Sequence, residues 1–290
     1  MSRVWLITGS SRGLGRSVAE TVLAAGDRVV ASARVPAHLS DLAERYGRQV
    51  RTVALDVTDR AQVDAAVRAA GQEFGRLDVV VNNAGYGSLC SIEQTTDRDL
   101  RDLIETNLWG VVNVTRAALP VLREQRSGHF IQISSMGGRT AAGPGLVGYI
   151  TAKHAMEGFS EVLHTEVAPL GIKVTIIEPG AFRTDWAGSS LTVTEPTADY
   201  RASVGPMIDY FGGTAGNEPG DPARAARVIL EVAGMAEPPL RLLLGSDAVA
   251  IVRQADLTKL ADIGKWEALS RSTDYDADRA GNALAAATAS

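Results

Sequence analysis

The sequence predicts an α/β chain with a doubly wound parallel sheet, covered by helices on both faces. Three observations predict it. Seven short runs are apolar along their whole length instead of alternating, the pattern of strands buried on two sides. Helical patterns separate these runs, so helix and strand alternate down the chain. The first run also leads straight into a glycine-rich turn and a helix, the opening of a βαβ unit.

The strand runs are VWLI (4–7), RVVASA (28–33), VRTVALD (50–56), LDVVVNN (77–83), HFIQIS (129–134), KVTIIEP (173–179) and LRLLL (240–244). Helical patterns cover 13–26, 59–74, much of 98–122 and 149–171. Residues 184–221 break the rhythm, mixing Thr, Ser, Gly and Asn around VGPMIDYF at 204–211. An insertion of that length after a strand is expected to form a substrate-binding flap. Residues 246–290 are expected to add a helical extension and an Ala-rich flexible tail. No repeat or linker divides the sequence, so residues 1–290 read as one domain.

Composition narrows the function. With 34 acidic and 29 basic residues the net charge is -5, and no basic nucleic-acid footprint is present. The single cysteine, Cys90, excludes an intramolecular disulfide and reads as a small buried hydrophobe. No apolar run approaches a membrane span, and the one in MSRVWLITGSS is too short for a signal peptide. The expectation is a cytoplasmic protein that binds neither nucleic acid nor metal.

The turn TGSSRGLG (8–15) clears side chains at Gly9, Gly13 and Gly15, letting the backbone approach a pyrophosphate at the helix's positive end. Its G-x-x-x-G-x-G spacing differs from the common G-x-G-x-x-G, and the Gly-Lys-Ser/Thr of a phosphate-binding loop is absent. The second strand ends in SAR (32–34) without the acid that holds an NAD ribose. Arg34 and Arg12 instead offer two guanidinium forks to a 2′-phosphate, pointing to NADP(H); alternatively both are solvated surface charge. Asp56 is placed to accept from an adenine amine beside Val57, or to cap the next helix, a role Thr58 or Asp59 also fits. NNAG (82–85) suits either a ligand crevice or a tight turn.

YITAK (149–153) puts a phenol and an amine on one helical face. A nearby ammonium favours the phenolate, so Lys153 is expected to pull the Tyr149 pKa down. A phenol tuned in this way exchanges a proton with an alcohol or a forming alkoxide. Ser134 and Ser135 end the fifth strand, where one hydroxyl can polarise a carbonyl. The plainer alternative is a packed ring with a snorkelling lysine.

Taken in order, TGSSRGLG, Asp56-Val57, NNAG, Asn107 in IETNLWG, ISS (133–135), YITAK and PGAFRT (179–184) resemble the motif set of the short-chain dehydrogenase/reductase family, over roughly residues 3–245. The resemblance implies a Rossmann-type fold with a seven-stranded parallel sheet, dimers or tetramers, and reversible NAD(P)-dependent conversion of alcohols and ketones. It implies that Tyr149 is the acid–base, Lys153 its partner on the nicotinamide ribose, Ser135 the substrate-orienting hydroxyl and Asn107 the holder of a relay water. Ser135 and Tyr149 are fourteen residues apart, one more than usual in the family, and GGRTAAGPG absorbs the difference.

On the same resemblance the cofactor set comprises Gly9, Ser11, Arg12, Gly13, Leu14, Gly15, Arg34, Asp56, Val57, Asn83, Ala84, Gly85, Tyr149, Lys153, Pro179, Gly180, Phe182 and Thr184. Arg12 and Arg34 match the NADP-preferring branch. The PGAFRT segment and longer C-terminal region are similar to members related to 17β-hydroxysteroid and retinol dehydrogenases. The substrate wall is expected from Gly138 to Val147, from Tyr86 and Leu89, and from Trp186, Met207, Tyr210 and Phe211, which suit an apolar carbonyl or alcohol. Rival readings are an epimerase or dehydratase on the same fold, and an NADP-binding regulator without turnover.

Overall fold

Trp5 and Leu6 are neighbours in sequence, both fully buried, and they belong to different cores. A strand directs successive side chains to opposite faces, so this pair alone requires cover on both sides of the sheet. The computed structural model describes residues 2–141 and 143–275. The first half contains β1 (Val4–Ile7), α1 (Gly13–Ala24), β2 (Arg28–Ala33), α2 (Ser40–Tyr46), β3 (Val50–Ala54), α3 (Arg60–Phe74), β4 (Val79–Asn82) and β5 (Gly87–Leu89). It continues with α4 (Asp97–Ile104), α5 (Gly110–Gln125), β6 (Gly128–Ile133), α6 (Val147–Val167) and β7 (Ile172–Pro179). Then follow β8 (Leu191–Val193), α7 (Arg201–Thr214), α8 (Pro222–Val232), β9 (Arg241–Leu244) and α9 (Ser246–Arg271).

Seven strands form a parallel sheet in the order β3-β2-β1-β4-β6-β7-β9. This is the Rossmann-type fold, and each of the seven apolar runs supplies one strand. The order turns back between β1 and β4, which opens a crevice beyond their carboxyl ends. On one face Trp5, Ile7, Val29 and Ala31 meet Val18 and Val22 of α1 and Ile229 of α8. On the other, Leu6, Val30 and Val80 meet Val63 of α3, Val114 of α5 and Leu163 of α6. Each such fully buried aliphatic side chain contributes about 2 kcal/mol of transfer free energy.

Four features differ from the sequence reading. The helix expected across 98–122 is interrupted at Glu105–Trp109 by a π-helical turn, which carries Asn107. Residues 201–214, read as short apolar pieces, form α7 despite Pro206. Helix α8 was unforeseen; Asp221 caps it, accepting from the amides of Ala223 and Arg224. Strands β5 and β8, three residues each, pair in parallel as a separate ladder. The division between two compact units falls after Val249. In the second, α9 exposes Leu257, Leu260, Ile263, Trp266 and Leu269. The Ala-rich tail of the sequence reading lies outside the described residues.

Candidate active site

At the crevice, Gly9 and Gly13 adopt positive φ angles of 68° and 57°, which favour glycine. The turn is stitched to NNAG. Thr8 Oγ1 accepts from the amides of Asn83 and Ala84 at 2.9 and 3.0 Å, and Asn83 Nδ2 donates to the Thr8 and Gly9 carbonyls at 2.9 and 3.1 Å. A Cβ on Gly15 would collide with that Asn83 amide and with the Gly9 carbonyl. NNAG is therefore a packed brace for the glycine turn. Thr8 does most of this work and sequence reading passed over it, although it directly precedes the first glycine.

Helices α3, α4 and α8 begin with a side-chain cap, from Asp59, Thr96 and Asp221. Helix α1 follows Arg12 and has no side-chain cap, as is also true of α2, α5, α6 and α7, but only α1 opens from the glycine turn at the crevice. Its first-turn amides are left to an external acceptor at the helix's positive end, so the residues present fit a dinucleotide pyrophosphate. Arg12 and Arg34 are exposed, and neither forms an ion pair among the described residues. Thr184 also reaches the turn, since a Cβ on Gly13 would stand 3.5 Å from it.

The other predicted cofactor positions lie as follows. Asp56 turns toward Thr58, accepting from its amide at 3.0 Å and its hydroxyl at 2.7 Å, while Asp59 caps α3. Capping is thereby assigned to Asp59. The Val57 carbonyl accepts from Asn113 Nδ2 at 3.1 Å. Pro179 closes β7, the Gly180 amide donates to the Leu244 carbonyl at 2.8 Å, and Asp247 packs where a Gly180 side chain would be. Phe182 forms a β-bridge with Gly220. Ser11 and Leu14 lie in the turn and at the start of α1. Gly85 leaves room for Asn107, whose Oδ1 accepts from the Tyr86 amide at 3.0 Å and whose Nδ2 donates to the Tyr86 carbonyl at 2.7 Å.

Helix α6 carries Tyr149 and Lys153 past the end of β6, and both side chains are buried. Lys153 Nζ donates to the Ile133 carbonyl at 2.6 Å and stands 5.7 Å from the centre of the Tyr149 ring. The two strand-end serines separate. Ser134 Oγ donates to Glu157 at 2.5 Å, while Ser135 accepts from the Gly137 amide at 3.0 Å and acts on the Tyr149 phenol, favouring its ionised form. Of the two, Ser135 faces the phenol.

The phenol is not shifted as the sequence suggested. Burial pushes Tyr149 up to about 12, against a smaller downward pull from Ser135. Burial also lowers Lys153 to about 8, opposed by the charge of Glu157. Desolvation is the largest influence on both groups; over the phenol, Trp186 packs at a tilt with ring centres 5.1 Å apart, and Phe211 lies 5.5 Å from Trp186. Leu89, Leu146, Leu191, Met207 and Ile208 complete this apolar cluster. One expected wall residue falls elsewhere, since Gly138 backs onto Glu157 and Ser134; Tyr210 is half exposed, its ring edge-on to Phe211 with centres 5.4 Å apart.

A glycine turn at the switch point and a Ser–Tyr–Lys group at the end of β6 define a nucleotide-dependent oxidoreductase site. The short chain dehydrogenase family is matched over residues 3–193, and the chain belongs to that family. It is 48% identical over 271 residues to oxidoreductase BOA17 of Botryotinia fuckeliana, covering 93% of this chain and 98% of the relative. The crystal structure of a short-chain dehydrogenase from Streptomyces avermitilis superposes with a TM-score of 0.89 at 41% identity, over 95% of this chain and 100% of that one. Solved members of the same fold carry NAD in some cases and NADP in others. Among the described residues no helix is long and apolar enough to cross a membrane, and no group of three or more His, Cys, Asp or Glu side chains is placed to hold a metal ion.

Proposed function

We propose that the protein is an NADP(H)-dependent oxidoreductase that interconverts an apolar ketone or aldehyde and its alcohol, with Tyr149 as the acid–base. The observation that carries this reading is a buried Tyr149 with the buried Lys153 Nζ 5.7 Å from its ring centre, at the strand end that bears Ser135. The glycine turn, Arg12, Arg34 and Thr184 would hold NADP(H), which when bound would supply or take up the hydride. In the reducing direction the carbonyl oxygen sits between Ser135 and Tyr149. A phenol held near 12 is fully protonated at neutral pH, so Tyr149 stands ready as the donor. As negative charge grows on the oxygen, Ser135 donates a hydrogen bond to it and Tyr149 hands over its proton. Lys153, mostly ammonium at neutral pH, stabilises the phenolate that is left, and the alcohol's departure permits reprotonation.

Residues 184–221 are the proposed flap, and Trp186 and Phe211, packed over the Tyr149 ring, favour a flat or long apolar substrate. Exposed Trp109 and Val162, beside α5 and on α6, suit a homodimer or homotetramer built on those helices. Purified protein with NADPH, and with NADH in parallel, tested against aliphatic, alicyclic and aromatic ketones by nicotinamide absorbance, checks the reading. Turnover that survives Tyr149→Phe would sink it, and no turnover with any carbonyl would favour the regulator.

A further inference from the structure

Behind the catalytic face lies a buried charge cluster that the reaction as described leaves unused. Glu157 sits one helical turn beyond Lys153 on α6 and is even more buried than the lysine. Its carboxylate is held from two other elements: Ser134 at the end of β6 donates to Oε1, and Arg241 of β9 pairs with Oε2. Gly138 makes room for it, since a Cβ there would overlap the Glu157 carboxylate and stand 2.5 Å from the Ser134 hydroxyl. Arg241 also binds Glu178 of β7 at 2.7 Å and Glu161 of α6 at 2.8 Å, and Arg139 faces Glu178 at 3.5 Å.

The charges around this cluster can be added up. Glu157, Glu161 and Glu178 give three negative charges, and Arg139 and Arg241 give two positive ones, when all are ionised. Lys153 supplies the third positive charge and faces the cluster through Glu157. Glu161 is half exposed and burial pushes the Glu178 carboxyl up, so Glu157, on the same helix as Lys153 and one turn away, is the buried carboxylate whose charge favours the protonated lysine against its burial. Glutamine at 157 would leave the same groups with a surplus positive charge and favour the neutral amine.

We propose that Glu157 is a positioning residue for Lys153: anchored by Ser134 and Arg241, it keeps the lysine charged against the Ile133 carbonyl. Through Ser134 the same carboxylate fixes the strand end from which Ser135 projects. The proposal rests on the reading of Lys153 as the cation of the site, and its test needs no substrate.

The chain has four lysines, Lys153, Lys173, Lys259 and Lys265, so carbon-13 at lysine Cε gives at most four signals to follow against pH. The Lys153 signal is the one lost in Lys153→Met. In Glu157→Gln its midpoint is expected to fall by about one pH unit, while the other three stay in place. Glu157→Asp, which keeps the charge but withdraws it by one methylene, is expected to fall between the two. A Glu157→Gln protein that still binds NADPH and unfolds cooperatively, with its Lys153 midpoint unmoved, overturns the proposal. If Glu157→Gln does not fold, Glu157→Asp decides alone, and a wild-type midpoint there is the overturning result. Ketone turnover that survives Tyr149→Phe would defeat the reading of the reaction while leaving the Glu157–Lys153 coupling intact, so the two failures are distinct.

Discussion

The glycine turn and the segment over Tyr149 flank one site, yet they are held in different ways. At the turn, Thr8, Gly9, Asn83 and Ala84 are locked by short hydrogen bonds and by glycines with no room for a side chain. Over Tyr149, Trp186 and Phe211 contribute tilted, packed rings, and a ladder of three residues per strand ties Gly87–Leu89 to Leu191–Val193. Hydrogen-bonded backbone accepts few substitutions, whereas apolar packing accepts many of similar volume. The difference teaches where identity resides: under the proposed function the first region would serve a cofactor shared by many reactions, and the second could change with the substrate.

The largest expected effect joins both regions. Tyr149→Phe keeps the ring under Trp186 and removes only the hydroxyl with its transferable proton, so kcat should fall by about a thousandfold. Calorimetry should find NADPH binding intact, and a mutant that loses both would mean that the regions are not separable. Next comes Gly15→Ala, whose methyl collides with Asn83 and the Gly9 carbonyl. Overpacking against a braced turn should destabilise the fold by about 1–3 kcal/mol, read from denaturant unfolding.

Arg34→Asp should lower the NADPH-to-NADH ratio of kcat/KM by about 10- to 100-fold, since it replaces a phosphate-matching cation with an anion. An unchanged ratio would rule out Arg34 as the 2′-phosphate ligand. On the other side, Trp186→Ala should raise KM for apolar ketones roughly tenfold while sparing NADPH affinity. Loss of cofactor affinity there would erase the contrast between the two regions.

The smallest effect is a pH dependence of stability. Burial lowers Lys153 from 10.5 to about 8 in the folded chain. Between those values the unfolded chain holds a proton that the folded chain has released, so the Lys153 contribution favours folding increasingly as pH rises through that window. Tyr149, raised from 10.0 to about 12, works in the opposite direction above pH 10. The comparison is therefore cleanest from about pH 8 to 10, where wild-type thermal stability should gain on that of Lys153→Met.

Much of this was legible in the sequence, for reasons visible in particular residues. Uninterrupted apolar runs such as Val4–Ile7 announce two-sided burial, and all seven became strands. The glycines, the strand-end serines and YITAK fall on the crevice edge because topology places every strand's carboxyl end there. Helix α7 was hidden by Gly205, Pro206, Gly212 and Gly213, which read as loop until packing of Val204, Met207 and Phe211 overrides them. Helix α8 did leave a signal in Asp221-Pro222, an N-cap followed by proline at the first helical position. Glu157 could have been found as well, since it follows Lys153 at the same spacing at which Lys153 follows Tyr149. Its partners Glu178 and Arg241 come from distant strands and no local pattern names them. The upward shift of the phenol was equally out of reach, because it depends on what covers Tyr149.

The π-helical turn at Glu105–Trp109 adds a residue to what would otherwise be one continuous helix. A helix advances about 100° per residue, so one surplus residue rephases everything after it. Asp97–Ile104 and Gly110–Gln125 thus keep separate phases, and Asn107 stands at the seam. Deleting a single residue there would bring the two halves into register as an ordinary helix and swing one relative to the other by about a quarter turn. Asn107 would then lose its grip on Tyr86, and Gly110 its fit against Val57. The seam works as a vernier: one extra step lets a long rod satisfy two neighbours whose spacings do not match.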